Sequence, residues 1–241
     1  QYGKFWGQYR DAAWYQAEQK SATALAAKHN FAKVWQMQQA VVRRIQDFIG
    51  QGGNLFAMCS ATDTYDIALA ADGIDICDAP FDGDAMDPDA QNKLKFEKCL
   101  AFTGFILSTN AMEYEYSSVD NTMARLSVPE ERDVFTLYTF QARKEAVPSM
   151  LCQNHVAMIK GFQGQTTAYR RQHLKPGVVV MGAAAGQDEA RYIHGRYRKG
   201  TWTFYGGHDP EDYQHKVQDP PTDLNDHPNS PGYRLILNNV L

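Results

Sequence analysis

The chain lacks a basic face, a long apolar run and a closely spaced pair of cysteines. Lys and Arg total 24 against 28 Asp and Glu, a formal net charge of -4. The cations are scattered apart from short clusters at Arg170-Arg171 and Arg196–Lys199. Neutralising a phosphate backbone takes a concentrated cationic surface, so nucleic acid is not an expected partner. No stretch reaches the roughly 18 consecutive apolar residues of a spanning helix, so no membrane span is expected in this chain. Cys59, Cys77, Cys99 and Cys152 contain no C-x-x-C pair, which argues against a zinc knuckle or a redox dithiol. They set no disulfide framework either, and leave the compartment open. No H-E-x-x-H occurs, and His208 and His215 with Asp209 or Asp212 lack a metal-binding spacing, so neither metal nor cofactor is expected. The acidic stretch with Asp82, Asp84, Asp87 and Asp89 fails the calcium-loop pattern. Met86 stands at the third ligand position and no glycine follows it, which leaves a solvated acidic loop.

What is present is an ordinary globular composition, 44% hydrophobic and 22% charged, enough to bury the core of one domain over residues 1–241. The 12% aromatic share suits core packing first and a small-molecule pocket second. Residues 12–28 are rich in good helix formers. Asn30 is the expected N-cap of a second helix, in which Phe31, Val34, Trp35, Val41, Val42, Ile45, Phe48 and Ile49 recur at helical spacing. The glycines of 50–53 close it, and "NLFAMCS" is short and apolar enough for a buried strand. A short helix ending near Gly73 follows Asp66. Further strands are expected within 133–140, 155–162 and 177–182, then a hairpin turning at Arg198–Gly200. Ser230 and Pro231 make an N-cap and N1 pair for a last helix.

This punctuation predicts an α/β domain: a three-layer, mostly parallel, doubly wound sheet of the flavodoxin-like kind. No convincing strand precedes residue 54, so the early strands are expected from upstream of Gln1. The chain then reads as the C-terminal part of a longer protein, its sheet completed by an upstream segment or a second chain.

Two strand ends carry the chemistry-bearing residues. "GGNLFAMCSATDTYD" delivers Cys59, Ser60 and Asp63 where a strand turns toward its helix. "GTWTFYGGHDPEDY" delivers His208, Asp209 and Glu211 just past another strand. Ligand sites of open α/β sheets lie beyond the carboxyl ends of strands, so both segments face one expected crevice. A thiol needs a base or a positive neighbour to ionise near neutral pH, and His208 is the candidate base, with Glu211 or Asp209 fixing its tautomer. The bland alternatives stand beside these roles: a buried thiol at Cys59, a turn residue at His208, a helix cap at Asp63 rather than a group holding a ligand hydroxyl. Cys152 and His155, three apart, point to opposite faces of any strand.

"FIGQGGNLFAMCSATDTYD" resembles the ThuA-like branch of the class I glutamine amidotransferase-like superfamily: a glycine-ended helix, an apolar strand and an A-T-D-type segment. "ARYIHGRYRKGTWTFYGGHDPEDY" and "GYRLILNNVL" resemble that family's closing hairpin, G-H turn and last helix. In the superfamily a strand followed by His-Pro-Glu carries the base and its orienting carboxylate; here the turn reads His208-Asp209-Pro210-Glu211, one residue longer. Nearly the whole chain resembles a group of uncharacterised proteins of Bacteroidetes-type bacterial genomes labelled "asparagine synthetase B", through the segments at 150–162, 189–195 and 206–215. The label lacks chemical support in these residues: Gln1 is not an N-terminal cysteine, and no S-G-G-x-D-S loop occurs. The amidotransferase elbow G-x-C-x-G is replaced by Ala57-Met58-Cys59-Ser60-Ala61, and ThuA-like proteins often carry histidine at the Cys59 position.

Two functions follow as expectations. One is a hydrolase or lyase acting on a small polar substrate, with Cys59 as nucleophile or pocket wall, His208 as acid/base and Glu211 as its orienter, while Ser60, Asp63 and Asp209 bind the ligand. The ThuA resemblance implies a carbohydrate derivative and the wider superfamily an amide. The other is a non-catalytic ligand-binding or scaffold module of the same fold.

Overall fold

The computed structural model describes residues 5–141, 155–214, 216 and 219–239. In chain order the helices are α1 (Trp6–Tyr9), α2 (Ala13–Lys28), α3 (Val34–Gly50), α4 (Ala61–Ala70), α5 (Ala79–Asp82), α6 (Thr122–Arg125) and α7 (Pro231–Leu237). The strands are β1 (Asn54–Met58), β2 (Val134–Leu137), β3 (Met158–Lys160), β4 (Tyr169–Arg170), β5 (Val179–Ala183), β6 (Glu189–Ala190), β7 (Tyr192–Tyr197) and β8 (Gly200–Tyr205). One six-stranded sheet runs β1-β8-β7-β5-β2-β3, and β4 pairs with β6 apart from it.

The architecture is mixed α/β, but the mostly parallel, doubly wound sheet expected from the sequence is corrected. Among the described strands only β1 and β8 are parallel. The pairs β7–β8, β5–β7, β2–β5 and β2–β3 are all antiparallel. Connection length accounts for two of these pairs. The β7–β8 hairpin turns through Arg198 and Lys199, with Tyr197 opposite Gly200. The link from β5 to β7 is likewise too short for the crossover that a parallel pair requires. β1 ends the strand order, with β8 as its one partner among the described residues.

Alternation along the two parallel strands divides the core. Leu55 and Ala57 of β1 join Trp202 and Phe204 of β8 on the face covered by α3 and α4, over Ile49, Leu69, Phe102 and Tyr169. Phe56 and Met58 join Tyr205 on the opposite face, with Phe135, Ile159, Phe162 and Leu235 of α7. Period-two alternation with both faces apolar is what a strand covered on both sides requires. Gly195 admits the Trp202 ring across the hairpin: a Cβ there would lie 2.2 Å from it.

Local details refine several expectations. Asn30 is not the N-cap of α3; it sits in the left-handed region (φ 62°) just past α2, while Lys33 is the N-cap position of α3. The helix after Cys59 starts at Ala61 rather than after Asp66. Ser230 caps α7 through its hydroxyl, which accepts the Tyr233 amide at 3.2 Å. Cys152 and His215 lie outside the described residues.

Candidate functional site

Cys59 follows the last residue of β1 and stands in the left-handed region with φ 56°. Its amide still donates to the Tyr205 carbonyl of β8 (3.3 Å), so the chain leaves the parallel ladder only at this residue. A non-glycine residue in this conformation costs about 1–2 kcal/mol, and β-strand, left-handed cysteine, helix is the backbone of a nucleophile elbow. Here the strand-to-helix turn has alanines, buried Ala57 and exposed Ala61, at the positions where such an elbow has glycines. The thiol is half-buried. Burial pushes its pKa up and the Asp63 charge adds to that, while the amides of Ser60 and Gln165 and the Ser60 hydroxyl favour the thiolate. Ser60, itself buried, is the N-cap position of α4, so its amide also carries the positive end of the helix dipole.

A loop over 163–167 lies across the carboxyl ends of β1 and β8. Gly207 donates to the Thr166 carbonyl at 3.0 Å, and the His208 amide donates to the Gln163 carbonyl at 3.0 Å. Gly206 permits this approach, because a Cβ there would stand 2.2 Å from the Thr167 carbonyl oxygen. The same loop sets Gly164 against His208 and Gln165 against Cys59.

Beneath it lies a buried carboxyl pair. Asp63 and Asp120 are both 0% exposed. Thr166 stands between them: its hydroxyl donates to Asp63 Oδ1 (2.8 Å) and its amide to Asp120 Oδ2 (3.1 Å). Asp120 Oδ1 accepts the Thr122 amide (2.8 Å) and hydroxyl (2.6 Å). Asp63 Oδ2 is buried with no hydrogen-bond partner among the described residues. Thr166 is left-handed as well (φ 69°), an outlier for a β-branched residue and a second strained position in the same cluster. Burial first, and then the charge of Asp120, hold the Asp63 carboxyl well above its usual range. Burial pushes Asp120 up to about 7 against its threonine donors. Tyr114, Tyr116 and Tyr169 close the cluster, their hydroxyls pushed up by burial and by neighbouring acidic groups.

Of the residues singled out in the sequence, Cys59, Ser60 and Asp63 stand together here. His208 reaches the same sheet edge from β8, with an exposed side chain. Asp209 accepts from the hydroxyls of Thr222 and Tyr233 at 2.6 Å each and from the Glu211 amide at 3.0 Å. Against the cost of burial those hydroxyls hold its carboxyl below the usual range, and the charge of neighbouring His208 helps. Glu211 faces His227 (3.4 Å) and lines a shallow acidic depression with Asp212, Asp223 and Asp226.

The acidic loop is organised rather than merely solvated. Asp75, Asp82 and Asp84 converge, and Lys33 Nζ lies 2.5 Å from Asp84 and 3.7 Å from Asp82, supplying a cation from the protein itself. Asp66 is structural: its oxygens accept the amides of Leu100, Ala101 and Phe102 at 2.7–2.8 Å, joining α4 to that segment. Cys99 packs beside it, buried.

Sequence reasoning missed Asp120, Thr166, Gln165 and Tyr116. Asp120-Asn121-Thr122 does carry a readable signal, an aspartate bonding its own backbone two residues on. The positive φ of Thr166 has none. Comparison with protein-family models, curated proteins and solved structures finds no match for the chain.

Proposed function

We propose that the chain acts on a small polar molecule at the carboxyl ends of β1 and β8, as an amidotransferase-like, ThuA-like hydrolase or lyase with Cys59 as its nucleophile. The observation that carries this reading is the left-handed Cys59 between a parallel strand and a helix, its half-buried thiol facing two backbone amides. Such amides are suited to stabilising an anion that develops beside the sulfur. His208 is the acid/base supplied from the neighbouring strand, with Asp209 as its charged neighbour. Glu211 takes the orienting role only on leaving His227. The substrate is a carbohydrate derivative or an amide. An upstream segment or a second chain extends the parallel part of the sheet beside β1, a reading supported by the edge position of that strand.

Cys59→Ala and His208→Ala, each assayed on a panel of glycosides and amides, test the proposal. Turnover is expected to fall by about 100-fold or more in each. Unchanged turnover in both variants overturns it. A second reading, a ligand-binding module without catalysis, is favoured by the raised thiol and by the Glu211–His227 contact. On that reading the panel yields ligands that raise the melting temperature but no product.

A further inference from the structure

Asp82, the last residue of α5, has a side chain only 9% exposed, and neither of its carboxyl oxygens accepts a hydrogen bond among the described residues. A carboxylate taken out of water needs partners that replace its hydration. Its ion-pair partner among the described residues is Lys33, whose Nζ stands 3.7 Å from Oδ2, outside hydrogen-bonding range. That ammonium is spent elsewhere, 2.5 Å from Asp84 Oδ1 and 3.3 Å from the Asp82 carbonyl oxygen. The Asp82 carboxyl instead joins two others: one oxygen each from Asp75, Asp82 and Asp84 lie within 4.8 Å of one another. Three carboxyl groups thus converge on one ammonium, and no further salt bridge reaches them among the described residues.

We propose that Asp75, Asp82 and Asp84 form a site for one hard divalent cation, calcium by its size, with Lys33 as the ammonium that the ion displaces. The site is independent of the Cys59 reading. Calcium takes oxygen ligands at about 2.4 Å, so two oxygens on one ion stand at most about 4.8 Å apart. The three carboxyl groups meet that limit as they stand. The Asp82 carbonyl, which Lys33 Nζ faces, offers a fourth oxygen, and water completes the shell. A donor set made of oxygen alone selects a hard ion over zinc or copper.

The ligands come from separated positions rather than from one continuous calcium loop, which is why that sequence pattern fails here. Gly83, left-handed at φ 93°, closes α5 and turns the chain between Asp82 and Asp84. Asp75 is held from the other side. Its amide donates to Asp87 Oδ2 at 2.9 Å, and its Oδ1 accepts the Cys77 amide at 2.8 Å. Asp87 is therefore a positioning residue. The way in is open, because the side chains of Asp84 and Lys33 are 55% and 31% exposed. An ion reaches Asp82 by moving one flexible lysine, without parting the core. Phe81 is buried next to Asp82, and Gln19 of α2 donates to the Phe81 carbonyl at 3.2 Å. Both fix α5 to the helical layer, so binding is expected to register in the stability of the fold.

Calorimetric titration of Ca2+ into the whole chain, stripped with chelator and held at about 0.1 M KCl to screen diffuse attraction, tests the site. One ion per chain is expected, with a Kd of about 1 mM or tighter and a rise in melting temperature that chelator reverses. Asp82→Asn and Asp84→Asn are each expected to weaken binding by about tenfold or more. Asp84 is exposed, so its variant decides the question if Asp82→Asn does not fold. Lys33→Met keeps the aliphatic stem, removes the competing charge and is expected to tighten binding about tenfold. A double variant of the other acidic depression, Asp223→Asn with Asp226→Asn, is the control and is expected to leave the affinity unchanged. No saturable binding up to about 10 mM Ca2+ overturns the proposal. So does an affinity that Asp84→Asn leaves intact, that Lys33→Met lowers, or that falls in the control variant.

Discussion

Asp133 and Glu189 lie fully buried with two guanidiniums, Arg125 and Arg191, set against them; Asp63 and Asp120 lie at the same depth among hydroxyls and amides. In the first region Arg191 reaches Asp133 at 3.1 Å and the Phe162 carbonyl at 3.1 Å. Arg125 bonds Asp133 and lies 3.4 Å from Glu189, whose other oxygen accepts from Asn121 at 2.9 Å. Two positive and two negative charges cancel, and the network joins α6, the entry to β2 and the β6–β7 segment. The second region has no such cancellation among the described residues, and burial raises the pKa of both its carboxyls. Charge compensation in one place and its omission in another separate a group that holds the fold together from one poised to titrate.

Breaking the compensated region gives the largest effect. Asp133→Ala leaves two buried guanidiniums facing Glu189 alone, and is expected to cost about 3–5 kcal/mol in denaturant unfolding. Asp63→Asn, which removes a buried carboxyl with no cationic partner among the described residues, is expected to be neutral or stabilising at pH 8. If the two variants destabilise equally, the contrast between the regions fails.

The comparison also has a pH signature. The folded-state pKa of Asp120, about 7, lies above its unfolded value, so protonation favours the fold. Its contribution is complete below about pH 4 and is lost as the pH rises through 7. Asp66, pushed up by burial to about 6 despite its three amide donors, acts in the same direction over a slightly lower window. Asp72 and Asp209, held low, act oppositely and lose their contribution only in acid. Melting curves from pH 4 to 8 are therefore expected to show Asp120→Asn gaining on wild type as the pH rises, by a few kcal/mol at most. Parallel curves would sink the assignment of a raised pKa to this residue.

How far the sequence disclosed this arrangement follows from the range of the interactions. The β7–β8 hairpin, the Ser230 cap and the strand before Cys59 rest on contacts a few residues apart, and periodicity and turn chemistry reveal them. Strand direction rests on how connections close, and the short β5–β7 link was the clue that the sheet could not stay parallel. The Thr166 bridge joins residues 63, 120 and 166, three segments that only the folded sheet brings together. Glu211 illustrates the converse: three residues past His208 in sequence, it turns to His227 because the 208–212 turn directs it there.

The smallest effect tests whether the elbow itself is kept for chemistry. Cys59→Ala retains the left-handed strain and loses a half-buried thiol. Cys59→Gly loses the same thiol but removes the Cβ responsible for the strain. The glycine variant is thus expected to be more stable than the alanine variant by about 1 kcal/mol, read from paired urea midpoints at unchanged slope. A glycine variant no more stable than alanine would mean that the neighbouring residues, rather than the need for a side chain at this turn, set the conformation. With the expected difference, the fold bears a strain at residue 59 that glycine would relieve.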